Sequence, residues 1–186
     1  EEVGRLSMLL EIEDSRLLFE YGMNPGKPPE YPMRPPDFDM VLLTHSHLDH
    51  SGMIPWLFLH HNPKIITTNL TAEISNILHK DSIKIAKSEG YAQPYSNSEV
   101  KKSKHSIVPV KPNQNKMIGE NLDIKFHDAG HIPGSLMFEL VSDKRILFTG
   151  DINTNDTRIV KGNKPVNCDI MFLEGTYAGR NHSCTR

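Results

Sequence analysis

An apolar run at residues 38–44, FDMVLLT, passes without a break into His45-Ser46-His47-Leu48-Asp49-His50-Ser51-Gly52. No other stretch constrains the fold as tightly. A short buried strand must end where three histidines and an aspartate crowd into six residues. All four are metal-ligand types, and a loop seldom gathers so many of them without a metal. Alternate residues of an extended segment point the same way, so His45 and His47 are expected to converge on one ion. Asp49 and His50 begin a turn into a helix and face a different direction. That arrangement suits two neighbouring ions rather than one.

Composition sets the frame for this cluster. The 186 residues suit one domain, or one domain plus a piece of another. With 37% apolar and 24% charged residues the chain can bury a core and is not disordered by composition. Its 21 basic and 23 acidic residues leave a net charge of −2. This excludes nucleic-acid binding by overall charge, though not a local basic patch. Two cysteines, Cys168 and Cys184, are too few for a disulfide framework, so a reducing, cytoplasmic setting is expected. No apolar run approaches the roughly 20 residues that span a bilayer, so no membrane association is expected.

Strands are expected at residues 6–12 and 16–20, joined as a hairpin, then at 38–44 and 64–68. Residues 21–37 hold six prolines and two glycines and read as a surface loop. Residues 51–61 read as a helix capped by Ser51, with Pro55 in its first turn. Residues 70–88 have a helical period in Leu70, Ile74, Ile77, Leu78 and Ile85, and read as a helix. A polar excursion at 91–104 precedes strands near 106–110, 122–127, 135–141, 145–149 and 169–173. Strands interrupted by two or three helices predict an α/β or α+β layered domain.

Two further motifs follow the first. One is His127-Asp128-Ala129-Gly130-His131-Ile132-Pro133-Gly134-Ser135. The other is Leu147-Phe148-Thr149-Gly150-Asp151, an aspartate at the end of an apolar strand. The three together, in this order, resemble the metallo-β-lactamase fold, whose signature is His-x-His-x-Asp-His, then a distant Gly-His, then a strand-terminal Asp. The resemblance implies an αββα sandwich. It also implies two Zn2+ ions, the first held by His45, His47 and His131, the second by Asp49 and His50, with Asp151 bridging. Asp49 would also orient the attacking water. Two such ions sit about 3.5–4 Å apart and steady both oxygens of an in-line displacement. The family places an Asp before the Gly that follows the second strand. Here Phe19-Glu20-Tyr21-Gly22 puts Glu20 there, one methylene longer, as the expected hydrogen-bond acceptor behind a ligand histidine.

The segment Glu174-Gly175-Thr176-Tyr177-Ala178-Gly179-Arg180-Asn181-His182 resembles the entry to the β-CASP domain of nucleases in this superfamily. Glu2-Val3-Gly4-Arg5, residues 91–104 and the loop 21–36 are similar to archaeal members. The resemblance thus points to archaeal cleavage and polyadenylation factors and ribonuclease J-like enzymes. It implies catalytic roles for Asp49 and Glu174, and contacts to RNA from Arg180 and His182; Gly134 and Ser135 are expected either to offer an amide and a hydroxyl to a phosphate near the metals or to form a tight turn that needs Gly. Residues 1–173 are expected to be the amino-terminal part of the metallo-β-lactamase domain. Residues 174–186 are expected to lead into a β-CASP domain outside this chain, which leaves the chain alone poorly active.

The remaining histidines read blandly. His60 and His61 are expected to end a helix, where the dipole favours imidazolium. His79 and His105 are expected to be solvated, and His127 to be a core residue, with a group supporting the ligands from behind as the alternative. Trp56 and the methionines read as core. The leading function is a zinc-dependent ribonuclease acting on RNA, as a homodimer or in an RNA-processing complex when full length. The alternatives are a small-molecule metallo-hydrolase of the same fold and a non-catalytic subunit with a degenerate site.

Overall fold

The computed structural model describes residues 4–176, 178 and 179. Two five-stranded sheets pack face to face. The first contains β1 (Met8–Ile12), β2 (Ser15–Phe19), β3 (Met40–Leu42), β4 (Lys64–Thr67) and, after the helices, β5 (Ile107–Pro109), in that order across the sheet. The hairpin β1–β2 turns through Glu13, at φ 49°, and all later pairs in this sheet are parallel. The second sheet runs β10 (Ile170–Phe172), β9 (Arg145–Phe148), β8 (Leu136–Val141), β7 (Leu122–Asp128), β6 (Asn115–Ile118). Only its β9–β10 pair is parallel.

Strand alternation sorts the side chains into layers. Leu17, Phe19, Leu42 and Ile66 point inward from the first sheet and meet Phe126, Leu136, Phe138, Ile146 and Phe148 of the second. Phe19 stacks on Phe148 at 4.5 Å between ring centroids and meets Phe138 edge-on at 6.0 Å. Each fully buried side chain of this kind stabilises the fold by about 1.5–3 kcal/mol. Leu18, Val41, Leu43 and Ile65, on the other face of the first sheet, pack under the helices. The outer face of the second sheet packs Met137 and Leu147 against Ile152, Val166 and Cys168 of the following loop. No described helix is long and apolar enough to cross a membrane.

Four helices lie among the described residues: α1 (Leu48–Ser51), α2 (Ile54–Leu57), α3 (Asn69–Glu89) and α4 (Asn97–His105). The single helix expected over 51–61 is two separate turns. Met53 N–H donates to Tyr21 O at 2.8 Å, which breaks the ladder at Gly52. Ser51 is therefore not an N-cap; it closes α1, and its hydroxyl donates to Ser46 O at 2.8 Å. His60 and His61 follow α2 in a turn, His60 against Trp56 and His61 against Phe38.

Thr68 caps α3 and Gly90, at φ 72°, ends it, both as the residue types favour. The buried face of α3 is not the apolar one. Thr71, Ser75, His79 and Ala86 are buried, while Leu70, Ile77 and Ile85 are exposed. His79 is thus not solvated: it is 3% exposed and its Nε2 lies 2.9 Å from Ser51 O. The excursion at 91–104 contains α4, started by a capping box of Ser96 and Glu99. β6 was not expected; Asn115–Ile118 is mostly exposed and pairs only with β7. Met33, Met117 and Met171 are exposed rather than core.

Candidate metal centre

The candidate ligands come from three loops at one edge of the sandwich. His45 and His47 follow β3, His131 lies between β7 and β8, and Asp151 follows β9. Leu136 N–H donates to Thr44 O at 3.0 Å and stitches the two sheets together there. His45 is wholly buried. Thr44 Oγ1 lies 2.9 Å from His45 Nδ1, so the tautomer protonated at Nδ1 leaves Nε2 free as a ligand. His45 Nε2 is 3.0 Å from His47 Nδ1, and His131 Nε2 is 3.3 Å from the same atom. Asp151 Oδ2 lies 3.8 Å from His45 Nε2 and 3.5 Å from His131 Nε2. The four ligand atoms all fall within 4.8 Å of one another.

Asp49 and His50, on α1, stand on the other side of Asp151. His50 Nε2 is 3.4 Å from Asp151 Oδ1 and 3.8 Å from Asp49 Oδ2. The two Asp151 oxygens therefore face different partners. Behind His50 lies Glu20, fully buried at φ 57°, a left-handed conformation that costs a non-glycine residue about 1–3 kcal/mol. Its Oε1 accepts the Thr44 N–H at 3.1 Å. Its Oε2 is 3.7 Å from His50 Nδ1, beyond hydrogen-bond range, and both atoms are buried without another partner.

Electrostatics follow from this crowding. Burial holds His45 well below the usual imidazole range, with His50 adding to the effect. Burial also works against charge on His50, but Asp151 and Glu20 outweigh it and lift its pKa to about 10. For Asp151 burial pushes upward, and the neighbouring His50, His45 and His131 pull the carboxyl below its usual range. His131 is lowered, chiefly by burial. Three carboxylates facing packed imidazoles make a pocket that favours positive charge at its centre.

Sequence reasoning missed how the ligand turn is held. Residues 20–23 run beside α1 as a clamp. Tyr21 N–H donates to His50 O at 2.8 Å, Met23 N–H to Leu48 O at 2.8 Å, and Leu6 N–H to Asp49 O at 3.0 Å. A Cβ on Gly22 would lie 1.6 Å from Asp49 O, so only glycine allows this approach. Gly22 itself was the available signal.

Among the other expected site residues, Gly134 sits at φ 86° with its carbonyl accepting from Thr68 Oγ1 and Thr71 Oγ1 at 2.9 and 3.0 Å. Ser135 is 1% exposed, and its Oγ accepts the Ile132 N–H at 3.3 Å within the same loop. Glu174 is half-buried, and its Oε2 accepts the Thr176 N–H at 2.8 Å. Its charge reaches His131. Arg180 and His182 lie outside the described residues. His127 is not a core residue: alternation turns Phe126 inward and His127 outward, where its Nε2 meets Glu139 Oε2 at 2.7 Å.

The donor set could hold a metal ion. A tetrahedron with bonds of 2.0–2.1 Å has edges of about 3.3–3.4 Å. Four of the six separations among these atoms are 3.0, 3.3, 3.5 and 3.8 Å, around that value, and all six lie within 4.8 Å. The chain is 36% identical to a probable RNase, MJ4, of Methanocaldococcus jannaschii, over 97% of this chain and 44% of that protein. It is 32% identical to the transcription termination factor FttA of a Lokiarchaeum species, over 96% of this chain and 30% of that protein. It is 30% identical to the RNase aCSPSF2 of Saccharolobus solfataricus, over 97% of this chain and 38% of that protein. The chain thus spans less than half the length of these relatives. A crystal structure of an Enterococcus faecalis V583 protein of unknown function superposes with a TM-score of 0.55 at 18% identity, over 82% of this chain and 41% of that one, which bears on fold alone. Residues 2–176 match the metallo-beta-lactamase superfamily, and with the histidines and aspartate gathered at the strand ends of a two-sheet sandwich, the chain belongs to that superfamily.

Proposed function

We propose that this chain is the amino-terminal, metal-holding part of a zinc-dependent β-CASP ribonuclease that hydrolyses RNA phosphodiester bonds at a two-metal site. The observation that carries the reading is Asp151. Its Oδ2 faces His45 and His131 at 3.8 and 3.5 Å, while its Oδ1 faces His50 at 3.4 Å. One carboxylate presented to two ligand sets is what a bridging ligand requires. His45, His47 and His131 would hold one zinc, and Asp49 and His50 the other. Zinc bound there supplies Lewis acidity toward a phosphoryl oxygen and a nucleophilic water at neutral pH.

The chain's own groups do the rest. Thr44, with its Oγ1 2.9 Å from His45 Nδ1, would orient that ring from behind, and Glu20 holds Thr44 in turn by accepting its N–H. Asp49, half-buried, would accept a proton from the attacking water. Gly134, Arg180 and His182 are the proposed contacts to RNA, and Glu174 the proposed support on the substrate side; Ser135, 1% exposed with its hydroxyl engaged by the Ile132 N–H, is not open to a substrate. That the substrate is RNA is drawn from relatives named as RNases.

The test is cleavage of labelled single-stranded RNA by the full-length protein. Chelation is expected to abolish cleavage and added zinc to restore it. Asp151→Asn is expected to lose at least about a thousandfold in rate, the scale of removing a transition-state charge partner. Cleavage indifferent to chelator, or hydrolysis of small esters or lactones with RNA left intact, would overturn the reading.

A further inference from the structure

Ser51 is the hub of the ligand turn. It follows His50 directly, and its hydroxyl donates to Ser46 O at 2.8 Å, the carbonyl between His45 and His47. It therefore ties the α1 ligands to the β3 ligands. Yet α1 is a single turn, and the last carbonyls of a helix have no following turn to accept from. Two side chains from distant elements reach these carbonyls. His79 Nε2, in α3, meets Ser51 O at 2.9 Å. Tyr95, in the segment before α4, donates its hydroxyl to Gly52 O at 2.9 Å. The two rings stand edge-on at 6.1 Å. Ser51, His79 and Tyr95 are 0%, 3% and 5% exposed.

A buried polar side chain costs free energy unless its hydrogen bond is made. An aliphatic residue at 79 would fill the gap between α3 and α1 without that cost. Histidine at 79 makes physical sense when the hydrogen bond itself is needed. The same holds for the tyrosine hydroxyl at 95.

We propose that His79 and Tyr95 are positioning residues of the metal centre, fixing Ser51 and Gly52 and through them His50, Ser46 and the spacing of His45 and His47. Neither touches a ligand. Both act by pinning the backbone on which the ligands are mounted. The proposal rests on the metal-centre reading above.

The test is Co2+ titration of the 186-residue chain, following the visible absorption of bound cobalt and measuring affinity by competition with a chelator. Urea unfolding of each metal-free variant is measured beside it. Outer partners of metal ligands are typically worth 10–100-fold in affinity. His79→Leu and Tyr95→Phe are each expected to weaken Co2+ binding by about tenfold or more and to change the absorption band. His79→Gln, whose amide nitrogen reaches the same carbonyl, is expected to restore both. Tyr95→Phe removes one hydroxyl and keeps the ring, so it decides the matter if His79→Leu does not fold. Wild-type affinity and an unchanged band in Tyr95→Phe would overturn the proposal. So would a His79→Gln as impaired as His79→Leu, which would assign His79 to packing alone. A wild-type chain that binds no Co2+ would remove the metal-centre reading itself, and the proposal with it.

Discussion

Asp151, Glu20 and Gly22 show three different ways in which one residue makes this site. Asp151 supplies two acceptor oxygens to two sets of partners. Glu20 supplies buried charge behind His50 and an acceptor for the Thr44 N–H. Gly22 supplies the absence of a side chain. Gly22→Ala is expected to destabilise the metal-free protein by about 3 kcal/mol or more in urea unfolding, because the added carbon meets the Asp49 backbone rather than a side chain that can swing away. Glu20→Gln keeps the acceptor at Oε1 and removes the charge. It is expected to unfold near the wild-type midpoint yet weaken zinc binding by about tenfold in a chelator competition. Among the candidate ligands, His45 and His47 were legible from a strand, an alternation and a residue type, whereas His131 and Asp151 were named only through the resemblance, and the fold brings all four together. The resemblance placed Glu20 behind a ligand histidine, but no hydrogen bond is made there: its Oε2 stops 3.7 Å from His50 Nδ1. That its Oε1 would serve the Thr44 amide depends on a parallel strand pair 24 residues apart in sequence.

Helix α3 carries the clearest departure from sequence expectation. Its apolar period is real, but the core side of the helix is defined by what it meets. It meets the carbonyls of the ligand turn and of Gly134, so Thr71 and His79 turn inward. The break at Gly52 has the same origin, a tertiary hydrogen bond to Tyr21 O taking an amide the helix would have used. Propensity and periodicity see neither partner. Burial lowers the pKa of His79 from its ordinary 6.5 to about 4. Tyr95 and Lys104 are the titratable groups beside it; Lys104 is paired with Glu73 at 3.0 Å. The unfolded chain then binds more protons than the fold between these two values, so this contribution is complete above pH 6.5 and is lost as pH falls toward 4. The metal-free protein is expected to lose up to about 3 kcal/mol across that interval from this group. His79→Gln is expected to remove that part of the slope, read as the difference between the two urea-unfolding profiles against pH. Equal profiles would show that His79 protonates freely in the fold.

At the scale of the whole molecule, the site exists because two sheets meet at one edge and are stitched there through Thr44 and Leu136. Phe19, Phe138 and Phe148 hold the sheets in register below it. The order of strands along the chain was largely legible, since apolar runs and turn residues alternate clearly. β6 was not, because Asn115–Ile118 is mostly exposed and draws its shape only from β7. On the proposed reading, the second ion has only Asp49, His50 and the shared Asp151 from this chain, and the other wall of the cleft belongs to a domain outside it. Positioning of that kind supplies roughly 7–11 kcal/mol of a barrier. The 186-residue chain is therefore expected to hold one zinc tightly and to cleave RNA very poorly. The most direct test of the centre itself is metal analysis with zinc-edge X-ray absorption on this chain and on His131→Ala. The account predicts one retained zinc per chain, with nitrogen and oxygen neighbours at about 2.0–2.1 Å, and its loss in the variant. No retained zinc in the wild-type chain, or equal retention in His131→Ala, would contradict it.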